Sequence, residues 1–174
     1  LVGSEMCIRD RFLYQYSETN LLTSGAKFFG QYWADAIGAV NVAGELTTDN
    51  SVAVSMEQVY AWDPDLIFIT NFTTAGPDDL YENTVGTYDW SGISAVENRR
   101  VYKMPLGMYR SYTPGADTPV TLLWLAKTAY PAQFADIDII AETKAYYSEV
   151  FGVELTDEQA ASIFEPTAEA GGGF

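Results

Sequence analysis

Apolar positions along this chain follow two rhythms, short continuous runs and longer stretches that recur with helical spacing. Leu66-Ile-Phe-Ile69 is a short unbroken apolar run, the pattern of a strand covered on both faces in a parallel sheet. Phe12-Leu-Tyr-Gln-Tyr16 and Val101-Tyr-Lys-Met104, the latter closed by Pro105, are rich in β-formers and predict two further strands. Phe28, Phe29, Tyr32, Trp33, Ala36 and Ile37 recur with helical period, Phe29, Trp33 and Ile37 facing the core, and Gly38 is placed to end that helix. Ser55 followed by Gln58 fits a capping box, so Glu57 falls in the first turn of a short helix that ends in a Pro-Asp turn.

Later segments are mainly helical. Asp117 or Thr118 caps a helix with Pro119 in its first turn and Leu122, Leu123, Leu125, Ala126 and Ala129 on its buried face, and Tyr130-Pro131 stops it. A helix from Ile139 to Phe151, ended by Gly152, and a capping-box helix from Thr156 with Gln159 complete the set. Asn41-Val-Ala-Gly44 reads as a short extended piece before a polar loop through Asn50, and 71–88 as a loop with one helical turn at Asp78 to Glu82. Strand and helix alternate, which predicts an α/β, three-layer αβα lobe around a small, mostly parallel, Rossmann-like sheet. Ligands of such sheets sit beyond the carboxyl ends of the strands, so residues 17–24, 71–75 and 108–113 should share one rim.

Composition narrows the chemistry. The net charge is -15, with 9 basic against 24 acidic residues, which argues against nucleic acid and against an anionic membrane surface as partners. Histidine is absent, removing the commonest general base and metal ligand. Cys7 is the single cysteine and forms neither an internal disulfide nor a thiolate cluster. The acids lack calcium-loop spacing, so neither a resident metal nor a cofactor is expected.

The candidate site residues follow the strands. Tyr109, Arg110 and Tyr112 set two aromatic faces around a permanent cation, suited to a large ligand with carboxylate, phenolate or catecholate oxygens. The residues alone leave open a surface loop whose tyrosines pack locally. Phe72 and Thr73 lie past the Leu66 strand on the same rim, and Met108 is an adaptable wall or a gap-filler. Tyr16 and Thr23 sit near the first strand and helix, with core or capping roles equally open.

The Ser55-Met-Glu-Gln58 helix leading into Pro64-Asp-Leu-Ile67 resembles the C-terminal lobe of class III solute-binding proteins, which hand ferric siderophores, haem or cobalamin to ABC importers. Trp90-Ser-Gly-Ile-Ser-Ala-Val-Glu-Asn-Arg-Arg-Val-Tyr102, Leu122-Leu-Trp-Leu-Ala-Lys127, Tyr130-Pro131 and Phe134-Ala-Asp-Ile-Asp138 resemble further segments of that family, in its order, from about Phe12 to Pro166. The resemblance implies a non-enzymatic, periplasmic or extracellular protein, lipid-anchored in some members, that binds a metal chelate. Met108, Tyr109, Arg110, Tyr112, Phe72 and Thr73 would form one wall of the cleft. It also implies that Glu57 is the acid that docks into an arginine pocket of the permease dimer, the membrane being met only through the transporter or an anchor. Residues 1–11 resemble translated sequencing-adapter read-through and are set aside, which leaves 12–166 as the lobe and 167–174 as a loose tail, with a first lobe and signal expected upstream. A ligand-sensing ectodomain sharing the lobe and a carboxylate-dependent hydrolase are the alternatives.

Overall fold

The computed structural model describes residues 9–17 and 20–167, with side chains from residue 20 onward. In chain order the elements are β1 (Arg9–Ser17), β2 (Asn20–Ser24), α1 (Phe29–Ile37), β3 (Val40–Asn41), β4 (Ser51–Val54), α2 (Met56–Trp62) and β5 (Leu66–Ile69). After these come α3 (Pro77–Tyr81), α4 (Ser94–Glu97), β6 (Val101–Lys103), α5 (Thr118–Ala129), α6 (Ile139–Phe151) and α7 (Asp157–Phe164). The described strands form one sheet in the order β4-β2-β1-β5-β6, with β3 pairing β1. The β1–β3, β1–β5 and β5–β6 ladders are parallel, while β2 and β4 add an antiparallel flank. The fold is thus α/β around a small, mostly parallel sheet.

That flank departs from the sequence pattern. β2 lies where a turn-rich rim was expected and β4 inside a supposed polar loop. Neither announces itself, because β2 buries polar Thr23 and Ser24 completely and β4 buries no residue fully. Ser24 tolerates burial because its Oγ accepts the Gly30 N–H at 2.8 Å. The four-residue α4 is too short for any periodicity to reveal. Arg9, Asp10 and Arg11, set aside in the sequence reading, pair through their backbones with Val40, Asn41, Leu66 and Ile67. Residues 1–8 of the adapter-like stretch and 168–174 of the tail lie outside the described residues.

β5 divides the core. Ile67 and Ile69 join a cluster with Leu21, Val59, Leu80, Val85, Trp90 and Ile93, while Leu66 and Phe68 join one with Trp33, Met104, Tyr112, Trp124 and Leu125. All four β5 side chains are fully buried, worth roughly 1.5–3 kcal/mol each relative to exposure. This double coverage explains the unbroken apolar run. Gly38 closes α1 with φ 72°, where a side chain would be strained. The Thr156 box makes both reciprocal bonds with Gln159, at 3.2 and 2.9 Å. At α2, Ser55 accepts the Gln58 N–H at 3.2 Å, but no return bond from the Gln58 side chain accompanies it.

Candidate ligand site at the strand tips

β5 and β6 end side by side, and the segments that leave them are tied together. Asn71 Nδ2 donates to the Met104 carbonyl at 2.8 Å, and Lys103 Nζ donates to the Thr73 and Ala75 carbonyls at 2.6 Å each. Burial, opposed in part by Asp79, pulls the Lys103 ammonium down from 10.5 to about 8. Residues 104–117 fold back on themselves through the Leu106–Arg110 bridge and the Ser111 N–H to Pro105 carbonyl bond at 3.2 Å. Expected neighbours on one rim, 71–75 and 108–113, therefore do meet.

Their side chains divide between surface and interior. Met108 and Tyr109 are 57% and 55% exposed. Arg110 places its guanidinium 4.7 Å from the centre of the half-buried Phe72 ring, a cation–π contact. Tyr112, expected to line the cleft, is instead fully buried. Its hydroxyl accepts the Gly30 N–H at 3.1 Å and its carbonyl accepts Trp33 Nε1–H at 2.8 Å, so the residue anchors the loop to α1. The Leu106–Arg110 bridge turns Tyr112 inward, and its position in the sequence gives no sign of this. Thr73 is also buried, its hydroxyl accepting the Ala75 N–H at 3.2 Å, and it braces its loop.

Phe28 was read only as one apolar position of a helix. It stands at the N-cap of α1, half-buried, with its ring 6.2 Å from that of Tyr112, while Phe72 lies 6.5 Å from Tyr112 on another side. Phe28 and Phe72 thus both border the buried Tyr112 ring, and Phe72, Arg110, Tyr109 and Met108 give the strand tips a ledge of apolar surface that carries the Arg110 cation. Thr23 is fully buried, and the side chain of Tyr16 lies outside the described residues.

Glu57 is exposed in the first turn of α2. Its own backbone amide, and then the Ser55 hydroxyl, hydrogen-bond its carboxylate and hold it below the usual range, so it stays charged. β4 ends at Val54 opposite Leu21, which in turn faces Tyr16 near the carboxyl end of β1. Because β1 and β5 are parallel, Glu57 emerges at the same end of the sheet as the ledge.

Among the described residues no group of three His, Cys, Asp or Glu side chains could hold a metal, and no helix is long and apolar enough to cross a membrane. A layered lobe of this kind places its apolar ledge and the Arg110 cation at the strand tips, where ligands of such sheets bind. The structure of a periplasmic solute-binding protein from Veillonella parvula superposes with a TM-score of 0.84 at 31% identity, over 91% of this chain and 47% of that one. The fold matches one lobe of that periplasmic solute-binding protein. Its structural neighbours are of the class III, TroA-like type. The Helicobacter pylori protein CeuE, in a Ni-His complex, matches with a TM-score of 0.72 at 25% identity, over 91% of this chain and 48% of CeuE. The molybdate-binding protein MolA of Haemophilus influenzae is 26% identical over 143 residues, 82% of this chain and 39% of MolA. No family model matches the chain. The chain spans about half the length of these solved relatives, which are solute-binding proteins rather than enzymes.

Proposed function

We propose that this chain is the C-terminal lobe of the substrate-binding component of an ABC importer and contributes one wall of a cleft for a metal chelate or metal oxyanion. The observation that carries this reading is the ledge itself. Arg110 stands over Phe72, with exposed Tyr109 preceding it in the chain, at the end of the sheet where ligands of such folds bind. A guanidinium backed by an aromatic ring suits oxygens of a carboxylate, catecholate or oxyanion, while the rings cover flat apolar surface. MolA takes molybdate and CeuE a nickel-histidine complex by name, and both ligands fit a site that meets a metal already wrapped in other groups. Ferric siderophores, haem and corrinoids belong to the same class of cargo. Buried Tyr112 and Thr73 support the wall rather than touch ligand. Glu57, exposed and charged at the same end, is the docking acid for a permease arginine pocket, and the site of action is the periplasm or its extracellular equivalent.

Titration of a two-lobed protein containing this lobe with molybdate, nickel-histidine, a ferric catecholate, haem and cobalamin tests the reading by tyrosine and tryptophan fluorescence. Saturable quenching by at least one of them, weakened about tenfold or more by Arg110→Ala, is expected, as for loss of a charge-assisted hydrogen bond. Indifference of the folded protein to all five removes the ligand class. Glu57→Ala should leave that affinity unchanged and reduce transporter-dependent uptake; unaltered uptake removes the docking role.

A further inference from the structure

Behind the ledge, between the 107–118 segment and α5, lies a cavity of about 80 Å³ whose lining includes Ser111, Asp117 and Thr121. These three residues are 5%, 6% and 1% exposed. Asp117 Oδ2 accepts the Met108 N–H at 2.6 Å. Asp117 Oδ1, Ser111 Oγ and Thr121 Oγ1, by contrast, have no hydrogen-bond partner among the described residues. Gly107 packs against the same carboxylate, where a Cβ would lie 2.1 Å from Asp117 Oδ2 and 2.8 Å from the Tyr147 hydroxyl. Buried charges in proteins are paired or bind ions, and buried hydroxyls find partners. Among the described residues no lysine or arginine forms an ion pair with Asp117, and Arg110, which also lines the cavity, lies over Phe72.

We propose that this cavity binds one monovalent alkali cation, Na⁺ or K⁺, through Asp117 Oδ1 and the Ser111 and Thr121 hydroxyl oxygens, with water completing the shell. An all-oxygen donor set selects a hard cation. Its charge is set by the surroundings. One carboxylate is present, the positive end of α5 already offsets part of it, and a divalent ion would leave excess positive charge buried. Bound there, the ion links the segment carrying Tyr109 and Arg110 to α5 and, through Tyr147, to α6. This inference does not depend on the ligand assigned to the ledge.

Thermal unfolding of the full 174-residue chain in NaCl, KCl and N-methylglucamine chloride at equal ionic strength tests it. The midpoint should be higher by about 3 °C in at least one alkali salt than in the N-methylglucamine salt. Thr121→Val should reduce that difference and Asp117→Asn should abolish it. Equal midpoints in the three salts would mean that the cavity holds water only and would overturn the proposal. So would an alkali-specific rise that survives both substitutions. If Asp117→Asn does not fold, the shape-preserving Thr121→Val decides alone.

Discussion

The two faces of the sheet are built from different materials. On one, Ile67 and Ile69 meet a mainly aliphatic cluster beneath the short helices α2, α3 and α4. On the other, Phe68 meets Trp124 at 5.7 Å and Tyr102 at 6.1 Å beneath the longer α1 and α5. The aromatic cluster alone continues to the rim, through Tyr112 to Phe28, Phe29 and Phe72. Large flat rings joined edge to face give few alternative packings, and they carry that order up to the ledge. The aliphatic face ends instead at an exposed acid on α2. One face therefore leads to the aromatic, cation-bearing ledge, and the other to an exposed carboxylate.

The most severe way to break this contrast is Phe68→Ala, which should cost about 3–5 kcal/mol in urea unfolding, against about 0.5–1.5 kcal/mol for Ile67→Val. Comparable losses would show that the aromatic face has no special rigidity. Next comes Lys103, whose ammonium is disfavoured by burial. From about pH 8 to 10.5 the unfolded chain holds this proton while the folded chain has released it, so stability should rise with pH across that window. A rise on the order of 2 kcal/mol, allowing for solvent screening, should be missing in Lys103→Met, as read by urea titrations at pH 7 and 9.5. The same slope in both proteins would assign it to other groups.

Tyr112→Phe sharpens the comparison at smaller scale. The Gly30 amide keeps its bond to Ser24 Oγ, so the loss should be about 1 kcal/mol, while hydrogen exchange in 106–117 should speed up more than in α2. Uniform acceleration would deny that Tyr112 holds the loop. Smallest is Ser55→Ala, which removes the α2 cap and should cost about 0.5 kcal/mol, with faster exchange confined to α2. Spread of that effect to 106–117 would mean the faces are coupled more tightly than their separate clusters imply.

What the sequence made legible was whatever rests on local rules. The β5 run, the Gly38 and Gly152 stops, the Thr156 box and the Pro119 entry into α5 all depend on neighbours in the chain. β2 and β4 did not show because their burial is either polar or incomplete, and because β4 pairs with a strand well upstream, although β2 follows β1 in a tight hairpin. At the ledge, Arg110, Tyr109 and Phe72 could be picked out as chemistry following a strand. The inward turn of Tyr112 could not, since it depends on the Leu106–Arg110 bridge and on an amide of α1. Phe28 is hidden for the opposite reason: its spacing makes it one more member of an apolar helix face, and only the tertiary fold brings it against Tyr112.

Asp63 ends α2 in a left-handed turn with φ 40°, and its two carboxylate oxygens accept the Ser94 N–H and hydroxyl at 2.8 Å each. The helix that bears Glu57 is therefore held at its far end by this pair, and at the Glu57 tip by the pairing of Val54 with Leu21 and the packing of Met56 on the core. A substitution at Ser94, remote from the tip along the chain, would swing the angle at which Glu57 is presented while leaving its charge intact. The pose of this exposed acid is thus set partly from the opposite end of α2, by the Asp63–Ser94 pair.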